Sequence, residues 1–141
     1  DGTTVNRCVL TVFNDNGSAI TSSSVVAWDD DDTDFSTSMY PYVTTTTTAD
    51  DPYTAGVMLT GSCPDQALCE IVVYGPATVL AANSTDNTTV DTLVGTTTVA
   101  GQVGDYATGA DTCALGTYIS EDTGAGVNSV LARVFVDISC D

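Results

Sequence analysis

Short apolar segments, each followed by a turn signal, are the feature that most restricts the fold of this chain. The segments are rich in β-branched side chains, which favour strands, and the stretches between them contain Gly, Asn, Asp and Pro, which favour turns. No segment keeps a helical apolar period over the ~11 residues that would identify a helix. Strands spaced by about ten residues are typical of an all-β sandwich or barrel. We therefore predict an all-β fold for residues 1–141: a single-domain β-sandwich or barrel of short antiparallel strands with little or no helix.

The strand candidates can be placed individually. Residues 7–13 and 24–28 lie on either side of the turn signal Asn16-Gly17, and this order predicts a hairpin or a wide two-strand connection. The closing segment, residues 129–139, is the most apolar of the chain. Because the first and last strands are both strongly apolar, we expect both to be central in the sheet and paired with each other. The candidates between them are residues 39–48, 55–60, 67–75, 77–82, two strands within 92–106, and 115–120.

The charge of the chain excludes several classes of partner. Nineteen acidic residues face two basic ones, Arg7 and Arg133, and the formal net charge is −17. Binding to nucleic acid or to an anionic membrane requires clustered cations. No apolar run approaches the ~20 residues that span a bilayer. We predict neither a nucleic-acid nor a membrane partner, and we attribute the acidity to mutual repulsion of copies in solution or to a saline habitat.

Five cysteines predict disulfide bonds. Cys63 and Cys69 lie six residues apart across a Pro-Asp turn, a span that a local disulfide can close. Cys8 and Cys140 lie on the first and last strands, so a second bridge between them is expected if these strands are neighbours. Cys113 is then left over, either as a buried thiol or bonded across a subunit interface. Free buried thiols are the alternative for all five; disulfides would indicate an extracellular or particle-bound location.

An acidic loop is the candidate metal site. Asp30, Asp32 and Asp34 alternate as calcium ligands do, but the glycine and glutamate of an EF-hand loop are replaced by Phe35 and Pro41. The alternative is a solvated acidic loop. Zinc is disfavoured, since the cysteine spacings do not fit and the chain has no histidine. We predict no metal and no cofactor.

Catalytic machinery is missing from the sequence. The chain has no histidine and no lysine, so carboxylates would have to act as general bases. The two glutamates, Glu70 and Glu121, fall in a strand and a turn with no aromatic platform for a sugar ring. We therefore predict that the protein is not an enzyme.

The order of its segments gives the chain a likeness to a known family. A strand is followed by "NDNGSAITSSSVVAW", a polar stretch, "TAGVMLTGSCPDQALCEIVVYGPATVL" and "LVGTTTVAGQVGDYATGADTCALGTYISEDTGAGVNSVLARVFV". This layout resembles the small capsid cement, or decoration, proteins of tailed bacteriophages over most of the chain. The matching pieces are Gly56-Val57, Ile71-Val72-Val73 with Gly75-Pro76-Ala77, Gly101, Gly109-Ala110, Gly116 with Thr117-Tyr118-Ile119, and Ala125-Gly126 before Val130-Leu131.

The resemblance implies a structural role on the outer capsid surface of a virion. The expected partners are the major capsid protein and further copies of the chain in a small homo-oligomer, a dimer or a trimer. Contacts made only in the assembled shell would stabilise it by mass action. Residues 1–7 would form an extended arm, continuing into the strand at residues 5–13, that reaches a neighbour. The expected interface residues are Arg7, Val9, Arg133 and Cys113, although intramolecular salt bridges are an equal expectation for the two arginines.

Two other functional classes stay open at the level of sequence. A secreted or surface filament or adhesive subunit would have a similar β-domain, and the cysteines favour it. A calcium- or carbohydrate-binding module would use the acidic loop or the few aromatic side chains.

Overall fold

The computed structural model describes residues 6–29, 39–59, 61–81, 92–106, 111–120 and 130–140. Within these ranges every regular element is a strand and none is a helix, which confirms the predicted all-β fold. The strands are β1 (Cys8–Asn14), β2 (Ile20–Thr21), β3 (Val25–Trp28), β4 (Tyr42–Thr44), β5 (Thr54–Met58), β6 (Ser62–Cys63), β7 (Leu68–Ala81), β8 (Leu93–Thr96), β9 (Gln102–Asp105), β10 (Cys113–Ser120) and β11 (Val130–Cys140).

The strands close into two rings that share β7. In the N-terminal ring, β1, β4, β3, β5 and β7 pair in that order, and β7 pairs back to β1. In the C-terminal ring, β7, β11, β10, β8 and β9 pair in that order, and β9 pairs back to β7. The β1–β4 and β7–β9 pairings are parallel and the others are antiparallel. Closure leaves few free strand edges, so the chain forms barrels rather than an open sandwich.

Strand β7 is long because it serves both rings. The sequence predicted two strands here, since Gly75-Pro76 looked like a break, but β7 runs through both residues for 14 residues. Its first half pairs with β1 and β5, and its second half pairs with β11 and β9. Val72 and Val79 belong to the same core cluster although they are seven positions apart, a spacing that places side chains on opposite faces of a regular strand. The alternation of side chains therefore shifts between them, where Gly75 has a φ of 100°.

Two hydrophobic clusters fill the rings. The smaller one lies within the N-terminal ring and is closed by the short β2–β6 pair, which contributes Ile20 and Cys63. The larger one lies within the C-terminal ring, and Val25, Val57 and Val72 of the N-terminal ring pack into it. The two rings are thus packed against each other through a shared wall. The remaining members of the larger cluster are Val79, Ala81, Val94, Val103, Leu115, Tyr118, Ala132, Val134 and Val136.

Two predictions of strand pairing are wrong. The first and last strands do not pair with each other; β1 and β11 each pair with a different half of β7. Of the two alternatives for the first two predicted strands, the hairpin is wrong, because β4 lies between β1 and β3; a wide connection is not contradicted. An apolar strand pattern indicates burial, but it does not specify which neighbour supplies the hydrogen bonds.

The disulfide map confirms one predicted bridge and corrects the other. Cys63 and Cys69 are bonded, as their spacing predicted. The predicted Cys8–Cys140 bond is wrong: Cys140 is bonded to Cys113, which lies directly opposite it in the β10–β11 pairing. Cys113 is therefore neither a buried thiol nor an intersubunit cysteine. Cys8 is free and exposed.

Thiol titration distinguishes these two bonding patterns. The unfolded, unreduced chain should give one thiol per molecule, and Cys8→Ser should give none, because the other four cysteines are bonded in pairs. If Cys8 were bonded to Cys140, the same substitution would instead leave two thiols, on Cys113 and Cys140. Titration with a chromogenic disulfide reagent in denaturant measures the count directly.

Candidate functional site

The two cations of this acidic chain line the same cleft. Arg7 lies immediately before β1, and Arg133 lies on β11 directly opposite Thr78 of β7. The cleft between them has a volume of about 130 Å³ and is completed by Pro76 and Ala77. Within the described ranges no ion pair joins either guanidinium to an acidic side chain. The cleft therefore brings the side chains of both cationic residues to one place.

A second cavity adjoins this cleft. It has a volume of about 250 Å³ and shares Arg7, Ala77 and Thr78 with the cleft. The rest of its lining is neutral, from Ser22 and Ser23 and from the stretch between Val57 and Leu59, with Val72. Arg7 is thus the charged group common to both cavities.

The lack of a side chain at Gly75 allows the backbone of Arg7 to lie close to β7. A Cβ at this position would lie 2.7 Å from the carbonyl oxygen of Asn6 and 2.9 Å from Cα of Arg7. The φ of 100° is also one that L side chains rarely adopt. The approach of residues 6 and 7 to β7 therefore requires glycine.

We expect Gly75→Ala to lower the free energy of unfolding by about 2 kcal/mol, because it combines backbone strain with a steric overlap. It should also move Arg7 away from the cleft. Gly17→Ala is the matched control, since Gly17 has a φ of 68° but nothing lies within 4 Å of its added Cβ. That control should cost only the strain of its dihedral, about 1 kcal/mol. Equal losses for both variants in urea unfolding would contradict the close approach.

An apolar surface lies beside the cleft on the C-terminal ring. On β11, the exposed residues Leu131, Arg133, Phe135 and Asp137 alternate with buried ones. Phe135 lies opposite Pro76 on β7 and opposite Thr117 on β10, and Thr117 lies opposite Leu93 on β8. A row of directly opposed residues thus crosses four strands. We call this surface the outer face; its large apolar members are Leu131 (60 % exposed), Tyr74 (47 %), Leu93 (45 %), Ile119 (40 %) and Phe135 (37 %).

An aromatic pair lies at the centre of the outer face. The rings of Tyr74 and Phe135 meet edge to face, with centroids 5.2 Å apart and an interplanar angle of 87°. Such contacts stabilise an aromatic pair beyond the area it buries. The two exposed rings therefore support each other at the surface. Exposed aromatic anchors with arginine nearby are typical of protein–protein contacts.

The predicted interface residues have different outcomes. Arg7 and Arg133 are brought together at the cleft, and Val9 is 41 % exposed on β1. Cys113 is 1 % exposed and bonded, so its prediction as an interface residue is wrong. The predicted arm does not include residues 8–13, because these pair with β7 of the same chain. Residues 1–5 of the arm lie outside the described ranges.

Sequence reasoning missed the aromatic pair and Leu131. The apolar character of the closing segment was interpreted as a sign of a central strand. Leu131 and Phe135 share a face with Arg133 and Asp137, however, and this mixed face is exposed.

Acidic groups give no assembled metal centre in the described ranges. The predicted Asp30, Asp32 and Asp34 lie outside those ranges. Elsewhere, a cavity of about 310 Å³ is lined by Asp50, Asp105 and the stretch Thr96–Thr98. No group of three or more Cys, Asp or Glu side chains among the described residues is placed to hold an ion. The same residues contain no helix long and apolar enough to cross a membrane.

Comparisons with known proteins identify a structural relative and no sequence family. No protein-family model matches the chain, and no curated protein sequence matches it. Among solved structures, the fold is similar to the crystal structure of the N base of the head fiber protein gp8.5 of bacteriophage phi29, with a TM-score of 0.57. The two are 13 % identical, and the likeness covers 92 % of this chain and 95 % of that one. At this identity the comparison shows a shared fold.

Proposed function

We propose that the chain is a structural protein of a phage virion, located on the outer surface of the capsid as a cement, or decoration, protein. The observation that carries the proposal is the likeness to the head fiber N base, which extends over nearly the whole of both chains. Because it covers 92 % of this chain and 95 % of the other, it concerns a whole domain rather than a common local motif. The layout of the sequence supports the same class of protein independently.

The surface of the molecule is suited to this role. A net charge of −17 keeps free copies apart in solution. The outer face and the adjoining arginine cleft offer apolar anchors and positive charge at one place. In this proposal the partners are the major capsid protein and further copies of the chain, and neither a cofactor nor a catalytic step is involved. Binding stabilises the shell because the contacts exist only when it is assembled.

A second candidate is the base of a fibre or filament. Two observations favour it: the similar structure is itself the base of a head fiber, and four of the five cysteines form disulfides, which suits an exposed appendage. The two candidates differ in what is attached to the chain: a cement protein only binds the capsid, whereas a fibre base also attaches a fibre that projects from it.

Density-gradient fractionation of nuclease-treated source material tests the proposal. The chain should co-sediment with DNA-filled particles at many copies per particle, counted by quantitative mass spectrometry. Immunogold electron microscopy should then place it on the capsid rather than on the tail. Recovery in DNA-free fibres or in the soluble fraction would overturn the virion role.

Particles that lack the chain separate the two candidates. For a cement protein, the temperature at which the particles release their DNA should fall, because shell contacts have been removed. For a fibre base, that temperature should stay the same, and projections on the capsid should disappear from electron micrographs.

A further inference from the structure

We propose that the outer face binds a second copy of this chain, face to face, about a two-fold axis at Phe135. The inference concerns the purified protein and does not depend on the virion role. It starts from the order of exposed side chains along β11, where Arg133, Phe135 and Asp137 lie on the same face because the burial of the strand alternates without a break from 131 to 137.

This order is self-complementary. Arg133 and Asp137 are equally spaced on either side of Phe135. When a second β11 lies antiparallel across the first, Phe135 meets its own copy, and each Arg133 meets the Asp137 of the other chain. Such mutual contact is the defining property of a two-fold interface, in which residue i contacts j and j contacts i. Two charge-assisted pairs therefore flank one aromatic centre.

The centre of the interface is already formed in the single chain. Tyr74 holds the Phe135 ring edge to face at 5.2 Å, so little side-chain freedom is lost on binding. Tyr74 also lies opposite Asp137 in the β7–β11 pairing, next to the proposed ion pair. Leu131, the most exposed apolar residue of the outer face at 60 %, lies beyond Arg133 on the same strand.

The charge distribution favours association of two copies through the outer face over association through their other surfaces. Copies of net charge −17 repel each other, and an interface without cations would add to that repulsion. Arg133 is one of the two cations of the chain, and it lies at the outer face with the other, Arg7, across the cleft. This is the surface where two copies approach with attractive rather than repulsive pairs.

Charge exchange tests the proposal directly. Sedimentation velocity over a concentration series, at about 0.15 M salt to screen the net repulsion, gives the dimer dissociation constant. Arg133→Asp sets acid against acid and Asp137→Arg sets arginine against arginine, so each should weaken the dimer by about tenfold or more. The double variant Arg133→Asp/Asp137→Arg has the net charge of the native chain and should restore dimerisation to within about threefold.

The two single variants also distinguish the effect of the Arg133–Asp137 ion pair on dimerisation from the effect of the net charge. Asp137→Arg makes the chain less negative, so a general charge effect would strengthen its association, whereas the proposed pair requires that it weaken. Equal mixing of the two single variants should form heterodimers, since each supplies the charge that the other lacks. All of these residues are exposed, and unfolding curves should confirm that the variants fold like the native chain.

Three outcomes would overturn the proposal. One is a native chain that remains monomeric up to roughly 100 μM. Another is a dimer that is insensitive to both single variants, which would place the interface elsewhere. The third is a double variant as weak as its parents, which would show that residues 133 and 137 do not meet across the interface.

Discussion

Replacing Asn14 by aspartate should cost about 3–5 kcal/mol of folding free energy, while the same change at Asn16 should cost less than about 1 kcal/mol. Asn14 closes β1, and its side chain is fully buried, at 0 % exposure. The two N–H groups of its Nδ2 are shared among the carbonyl oxygens of Ser18, Cys63 and Pro64, each 3.0 Å from the nitrogen. Its Oδ1 accepts the backbone N–H of Asn16 at 2.9 Å.

The loss follows from donor chemistry. An ionised aspartate has no N–H group, so the three carbonyl oxygens would lose their donor and face a second oxygen instead. A buried carboxylate without a cation also pays its full desolvation cost. The volume of the side chain hardly changes, so the loss comes from the hydrogen bonds and the buried charge rather than from packing. The carbonyl groups belong to two distant segments, and both should loosen in the variant.

Asn16 provides a closely matched control. Its Oδ1 accepts the backbone N–H of Thr45 at 3.0 Å and the hydroxyls of Thr44 and Thr45 at 2.9 and 2.8 Å. An aspartate keeps all of these acceptor roles. It loses only the exposed donation from Nδ2 to Oγ of Ser18. The two substitutions therefore make the same chemical change two residues apart. At Asn14 the amide acts mainly as a donor, and at Asn16 it acts mainly as an acceptor.

Urea unfolding monitored by tryptophan fluorescence measures both variants. The chain has one tryptophan, Trp28, and it packs against the core cluster of the N-terminal ring, where Asn14 lies. The signal therefore reports on the correct part of the molecule. Similar midpoints for Asn14→Asp and Asn16→Asp would show that the Asn14 hydrogen bonds do not stabilise the fold as described.

Asn14 also shows where sequence reasoning ends. The stretch that contains it predicted a turn, and the turn is present, with Gly17 at a φ of 68°. The contacts to Cys63 and Pro64 join residues 49 and 50 positions apart, and no local pattern encodes them. Strand positions could be predicted because alternation and turn chemistry are local properties. The closure of two rings through β7 could not, since it depends on non-local pairing.

The cysteines and the outer face follow the same division. Cys63–Cys69 could be predicted because its loop is short, whereas Cys113–Cys140 depends on β10 and β11 being antiparallel neighbours. Because consecutive strands often pair, the sequence also favoured a Cys113–Cys140 bond over a Cys8–Cys140 bond. The sequence analysis named Arg7 and Arg133 as separate interface residues but did not predict that they line one cleft. The register that places Arg133 opposite Thr78 is a property of the folded sheet.

Gly116→Ala should be among the most damaging small substitutions in the chain, with a loss of more than about 3 kcal/mol or failure to fold. Gly116 lies on β10 opposite Val136, next to a register shift, with a φ of 158°. An added Cβ would overlap the carbonyl oxygen of Phe135 and lie 3.0 Å from the backbone nitrogen of Asp137. Both are main-chain atoms of the neighbouring strand, so no side chain can turn aside to relieve the contact.

The same overlap links stability to the outer face. To accept the methyl group, β11 must move away from β10 at Phe135 and Asp137, the residues that the proposed dimer uses. Any Gly116→Ala chain that folds should therefore dimerise more weakly than its loss of stability explains. Gly61→Ala is the control, because nothing lies within 4 Å of its added Cβ, and it should retain both native stability and native association. Unfolding and sedimentation on the same samples separate the two effects: a Gly116→Ala chain with unchanged stability would contradict the packing of β10 on β11, and a destabilised chain with native dimerisation would place the interface away from Phe135.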